Sequence, residues 1–87
     1  DWNHFRNKFE VLYPIFLPIL KKSSFKFTKS EERLLILKKL NIETKEIASM
    51  IGVSKDSVLK TQYRLRKKMD ISKLNDIIDF IEQSVKN

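Results

Sequence analysis

Apolar residues along this chain recur at spacings of three and four, and Val, Ile and Thr never alternate strictly with polar residues for long. That period belongs to amphipathic helices rather than strands, so the expected fold is all-α, a small helical bundle. In the first segment, Trp2, Phe5, Phe9 and Leu12 form one aromatic-rich stripe, with Tyr13 and Phe16 close behind. Such a stripe is read as core rather than as a ligand pocket. Pro14 should end this helix near Leu12 and can itself sit in the first turn of a second short helix reaching about Lys22.

Ser23 to Phe27 reads as a loop. Thr28-Lys29-Ser30-Glu31 then has the form of a capping box, with the Thr28 hydroxyl and the Glu31 carboxylate each meeting the other's backbone amide. Leu34, Leu35, Ile36 and Leu37 crowd the helix that follows, which makes it the most buried one. It should stop near Leu40 or Asn41, since asparagine tolerates a left-handed cap. A short helix is expected over about Thr44 to Ile51, with Ile47, Ala48 and Ile51 on its inner face. Ser54 caps the next, which runs to about Met69, with Val53 and Val58 in hydrophobic-staple positions. A last helix, about Ser72 to Val85, carries Leu74, Ile77, Ile78 and Ile81.

The sharpest pattern lies between Thr44 and Tyr63. A helix-turn-helix requires a small residue where the second helix crosses the first, and Ala48 stands there. It requires a residue free to take positive φ at the turn, and Gly52, the chain's one glycine, follows. It requires a branched apolar anchor inside the second helix, and Val58 supplies it. Ile47, Ile51 and Val53 fill the other apolar positions. The expected architecture is therefore a bundle containing a helix-turn-helix at about 44–69 within a domain 27–87, preceded by aromatic linker helices over 1–26.

At about 100° per residue, Val58, Gln62, Leu65 and Met69 share the inner face of the second helix, and Asp56, Lys60, Tyr63, Arg64 and Lys67 point away. A basic outer face with a tyrosine interleaved suits the major groove: lysine and arginine meet guanine acceptors or phosphates, and tyrosine donates to a phosphate or stacks on a sugar. Leu59 lies at the boundary, where it would touch a thymine methyl or complete the core. Asp56 would read cytosine or serve as a first-turn acid favoured by the helix dipole, the second being preferred. Two helix N-termini, at Thr44-Lys45 and Ser54-Lys55, offer unpaired amides to phosphate, with the hydroxyls of Thr44, Ser54 and Ser57 beside them.

Charge reinforces this picture. The 87 residues carry a net charge of +7, with a pI near 9.8, which favours an anionic partner. Residues 55–68 hold Lys55, Lys60, Arg64, Arg66, Lys67 and Lys68 against Asp56 alone, while 72–87 hold Lys73 and Lys86 against Asp76, Asp79 and Glu82. The absence of cysteine excludes disulfides, thiolate metal sites and thiol catalysis, and fits a reducing, cytoplasmic setting. The apolar run Val11 to Leu20 contains Pro14 and Pro18 and is too short to span a bilayer. The start at Asp1 without a methionine raises the expectation of a piece from a longer sensory chain.

These residues resemble the LuxR/GerE type of helix-turn-helix. The likeness is carried by Phe27-Thr28, Glu31, Leu34-Leu35, Thr44-Lys45-Glu46-Ile47-Ala48, Ile51, Val53-Ser54, Ser57-Val58, Leu65 and Lys68-Met69, in register and without insertion. The run Tyr63-Arg64-Leu65-Arg66-Lys67-Lys68 and the aromatic segment before Thr28 are similar to a Bacteroidetes subgroup in which the domain ends large sensory or two-component regulators. The resemblance covers residues 27–71 well and 1–26 loosely. It implies a four-helix domain whose third helix enters the major groove of double-stranded DNA, usually as a homodimer on paired half-sites. By position, it implies phosphate contacts for Lys45 and Lys68 and base contacts around Lys60.

Together, the two lines assign Lys55, Asp56, Leu59, Lys60 and Tyr63 to bases. They assign Thr44, Lys45, Ser54, Ser57, Arg64, Lys67 and Lys68 to phosphates. The chain departs from the family pattern at Asn41, where glycine is usual, at Glu43, where serine is usual, at Leu59, where lysine is common, and at Thr61, where histidine is common. The change at Leu59 removes a charge where the family often contacts DNA, so a target sequence does not transfer.

Two other readings compete. A promoter-reading region of a sigma factor shares the alanine, glycine and valine spacing but does not account for the capping box at Thr28. A helix-turn-helix that has stopped binding DNA could dock a protein through the N-terminal aromatic helices, but the basic outer face opposes this. An enzyme is not expected, nor a cofactor, a metal or a membrane contact. His4 is the sole histidine, no glycine-rich phosphate loop exists, and no metal-ligand spacing occurs.

Overall fold

The computed structural model describes residues 1–71, 78, 79 and 81–83. Every regular element among them is a helix, in the order α1 (Trp2–Leu12), α2 (Phe16–Lys22), α3 (Lys29–Lys39), α4 (Thr44–Ile51) and α5 (Lys55–Met69). Residues 78, 79 and 81–83 are also helical, and Ile81 is buried. The rest of the helix expected over Ser72 to Val85, Leu74 and Ile77 included, lies outside the described residues.

Local chemistry sets the boundaries. Asp1 caps α1 by accepting from the Asn3 amide at 3.1 Å. The capping box at α3 is complete: Thr28 Oγ1 accepts from the Glu31 amide at 3.1 Å, and Glu31 Oε1 accepts from the Thr28 amide at 2.8 Å. Helix α3 ends with Asn41 at φ 61°. The Asn41 amide donates to the Lys38 carbonyl at 2.9 Å and the Ile42 amide to the Leu37 carbonyl at 3.2 Å, the paired bonds of a Schellman motif. Asp70, at φ 53°, closes α5 the same way, with the Ile71 amide bonded to the Arg66 carbonyl at 3.0 Å.

Helix α3 is central. Leu34, Leu35, Ile36 and Leu37 are all buried, so at this level the helix has no solvent face and must be wrapped by its neighbours. Phe9, Phe16, Leu17 and Leu20 from α1 and α2 join the same buried cluster as Ile47, Val58, Leu65 and Ile81. Residues 1–26 thus contribute side chains to the core that carries the helix-turn-helix. Phe9 meets Phe16 edge-on, with ring centroids 5.6 Å apart.

Three expectations are corrected. Leu12 is 69% exposed; Tyr13 takes its place, its ring 5.2 Å from that of Phe9. The apolar stripe advances four residues from Phe9 at the helix end rather than three. Pro14 stands in the turn before α2, and Pro18 is the proline of its first turn, where a missing amide hydrogen leaves no bond unmade. Val53 is exposed rather than stapled to Val58, because it lies at the tip of the turn that Gly52 opens, and Ile51 packs on the core instead.

Candidate nucleic-acid interface

Helices α4 and α5 pack on each other, and each turns buried residues to the core: Ile47 and Ala48 from α4, and Val58, Gln62, Leu65 and Met69 from α5. The turn between them is built from three local bonds. Gly52, at φ 73°, donates its amide hydrogen to the Ala48 carbonyl. The Val53 amide donates to the same carbonyl at 3.0 Å. Ser54 Oγ accepts from the Ser57 amide at 3.1 Å and starts α5. A left-handed residue is needed where the chain reverses, and glycine takes it without the Cβ penalty.

Two tertiary contacts, neither read from the sequence, hold α5 in place. Gln62, buried on the inner face, donates through Nε2 to Thr44 Oγ1 at 3.1 Å, and Lys38 Nζ reaches the same oxygen at 3.5 Å. This ties the middle of α5 to the first residue of α4 and the last turn of α3. At the other end, Lys68 Nζ donates to Glu31 Oε1 at 2.7 Å and to the Lys26 carbonyl at 2.8 Å. Its ammonium also lies 5.9 Å from the Phe27 ring centre. A glutamine on the core face was the one available signal for the first contact, since a buried amide needs a partner. The second had none, because its partners stand 37 residues apart.

Glu31 is therefore at once helix cap and ion-pair partner. Burial raises its carboxyl pKa, but the Lys68 hydrogen bond, the Thr28 amide, the Lys68 charge and the Thr28 hydroxyl outweigh burial and hold it below the ordinary carboxylate value. Lys68, assigned to phosphate from the sequence, is committed to this internal pair.

The outer face of α5 carries the rest. Asp56, Leu59, Lys60, Tyr63 and Arg64 line one shallow hollow on the solvent side. Lys55 is exposed on the first turn without lining it. Leu59 is 43% exposed, which removes it from the core, and Tyr63 is 53% exposed. Lys67 lies beside the hollow, its Nζ 5.4 Å from the Tyr63 ring centre. Arg64 also lines a second hollow on the flank, with Thr28, Glu31, Thr61, Lys67 and Lys68. None of Lys55, Lys60, Arg64 and Lys67 enters an ion pair among the described residues, unlike Arg6, Lys39 and Lys68.

The remaining assigned residues lie at helix starts. Ser54 and Ser57 are exposed, with their hydroxyls 3.2 Å apart at the start of α5. Lys45 is exposed on the first turn of α4, and Thr44 is half-buried. His4 is exposed on α1. Among the described residues no three metal-ligating side chains cluster, and no helix is long and apolar enough to cross a membrane.

No protein family, curated protein or solved structure matches the chain. The likeness to the LuxR/GerE type accordingly rests on the residues quoted above.

Proposed function

We propose that this chain binds double-stranded DNA sequence-specifically, as the LuxR/GerE-like output domain of a longer cytoplasmic or cytoplasm-facing transcription regulator, and acts as a dimer on paired half-sites. One observation carries the reading: the helix after the Gly52 turn is buried on one face by Val58, Gln62, Leu65 and Met69, and on the other presents Lys60, Arg64 and Lys67, which enter no ion pair among the described residues, in and beside a shallow hollow. A helix so anchored is a rigid, positively charged rod of the right width for a major groove. Lys45, Arg64 and Lys67 meet phosphates and supply affinity; Lys60 and its neighbours in the hollow meet base edges and supply preference. Lys68 takes no part in contact and serves to hold α5 against the start of α3.

Competition binding with a selected and a random duplex tests the division of labour. Lys60→Ala is expected to narrow the ratio between the two affinities by roughly fivefold, equal to about 1 kcal/mol of lost discrimination. Lys45→Ala is expected to weaken both duplexes by one common factor and to reduce the salt slope by about 0.9. Uniform loss in both variants would remove Lys60 from base reading.

A further inference from the structure

We infer that the hollow on α5 reads a thymine through its C5-methyl group, with Leu59 as the residue that sets this preference and Tyr63 lining the hollow with it. The inference rests on the DNA reading above and adds the chemical identity of one recognised group. Leu59 and Tyr63 are four residues apart, so they lie side by side on the helix surface, and both line the hollow. Each is substantially exposed. Their apolar surface therefore faces water in the free protein, in the middle of a face otherwise made of Lys60, Arg64, Lys67 and Asp56.

The composition of the hollow selects its occupant. Lys60 and Arg64 attract an anionic polymer, but Asp56 on the rim repels a phosphate placed directly over it. A duplex approaching this face thus puts base edges, rather than backbone, against the hollow. Of the groups that B-DNA displays in its major groove, the edges of guanine, adenine and cytosine offer hydrogen-bond donors and acceptors, and thymine alone adds a methyl group. An aliphatic side chain beside an aromatic ring complements that methyl, the largest apolar group in the groove. Asp56 can then accept from the exocyclic amino group of a neighbouring cytosine or adenine, and Lys60 can donate to guanine.

The experiment uses the whole chain. A duplex is selected from a randomised pool, and each thymine in turn is replaced by deoxyuridine, which differs only by lacking the methyl. For the wild-type protein, at least one replacement is expected to weaken binding about fourfold, the fold-change equal to roughly 0.8 kcal/mol for one buried carbon group. Leu59→Ala should bind the thymine and uracil duplexes equally. Leu59 lies outside the core, so helical content by circular dichroism should be unchanged in that variant. Indifference of the wild type to every replacement, or a uracil penalty that persists in Leu59→Ala, would overturn the inference while leaving DNA binding intact. Failure to bind any duplex would overturn both together.

Discussion

Leu65→Ala is expected to destabilise the domain by about 2–5 kcal/mol, the largest effect of any single truncation considered for α5. Leu65 is fully buried on the inner face of α5, in the cluster that includes Leu34 to Leu37 of α3 and Ile47 of α4. Removing its branched end strips apolar contact from three helices at once and leaves a void they can fill only by moving. A chain of this size has a total stability of roughly 4–13 kcal/mol by the usual per-residue range, so the loss is a large share. Because one helix supplies both core and outer face, DNA affinity should fall only as far as the folded fraction falls. Urea denaturation checks this: the midpoint should drop with an unchanged m-value. Leu59→Ala, on the exposed side of the same helix, should stay within about 0.5 kcal/mol of wild type. A loss under about 1 kcal/mol for Leu65→Ala would contradict the packing described.

Lys68→Met is expected to cost about 1–3 kcal/mol at pH 7, because it keeps much of the aliphatic stem but leaves the buried Glu31 carboxylate without its cation. The pH dependence separates this from a packing defect. In the wild type the Glu31 pKa is lowered on folding, so its contribution to stability is fully present above the unfolded carboxylate value. That contribution is lost as pH falls through the lowered folded value. Without Lys68, its hydrogen bond and its charge no longer hold the carboxyl down and only the Thr28 bonds oppose burial, so less of the lowering survives. The variant should therefore gain less stability than wild type as pH rises through the carboxylate range, and the gap between the two should close toward acid pH. Denaturation curves between about pH 3 and 7 measure it. Parallel curves for the two proteins would show that the ion pair contributes nothing through charge.

What could be read from the sequence was what local rules govern. The Thr28 and Glu31 capping box, left-handed Asn41 and Gly52, the Ser54 cap and the inner face Val58, Gln62, Leu65 and Met69 each depend on residues within one or two turns, and all are present. The grouping of Asp56, Lys60, Tyr63 and Arg64 on the outer face follows from the same periodicity. Leu12, Pro14 and Val53 were misplaced because each stands at an element end, where the direction of the next segment decides which face is covered. The Glu31–Lys68 and Thr44–Gln62 contacts join residues distant in sequence, and no local period encodes such a pairing. The first of these changes the reading of the site, since the sequence offered Lys68 as a phosphate contact and the structure pairs it with Glu31.

The most direct test of the central claim is fluorescence anisotropy of the whole chain with a labelled random-sequence duplex, repeated across a series of salt concentrations. Several cations on one face, each displacing condensed counterions from a phosphate, predict affinity that falls steeply with salt. The log–log slope should be about −3.6 or steeper, corresponding to about four or more phosphates. Absence of binding at the lowest salt, for the chain alone and for a forced dimer, would contradict the account and turn attention to a protein partner.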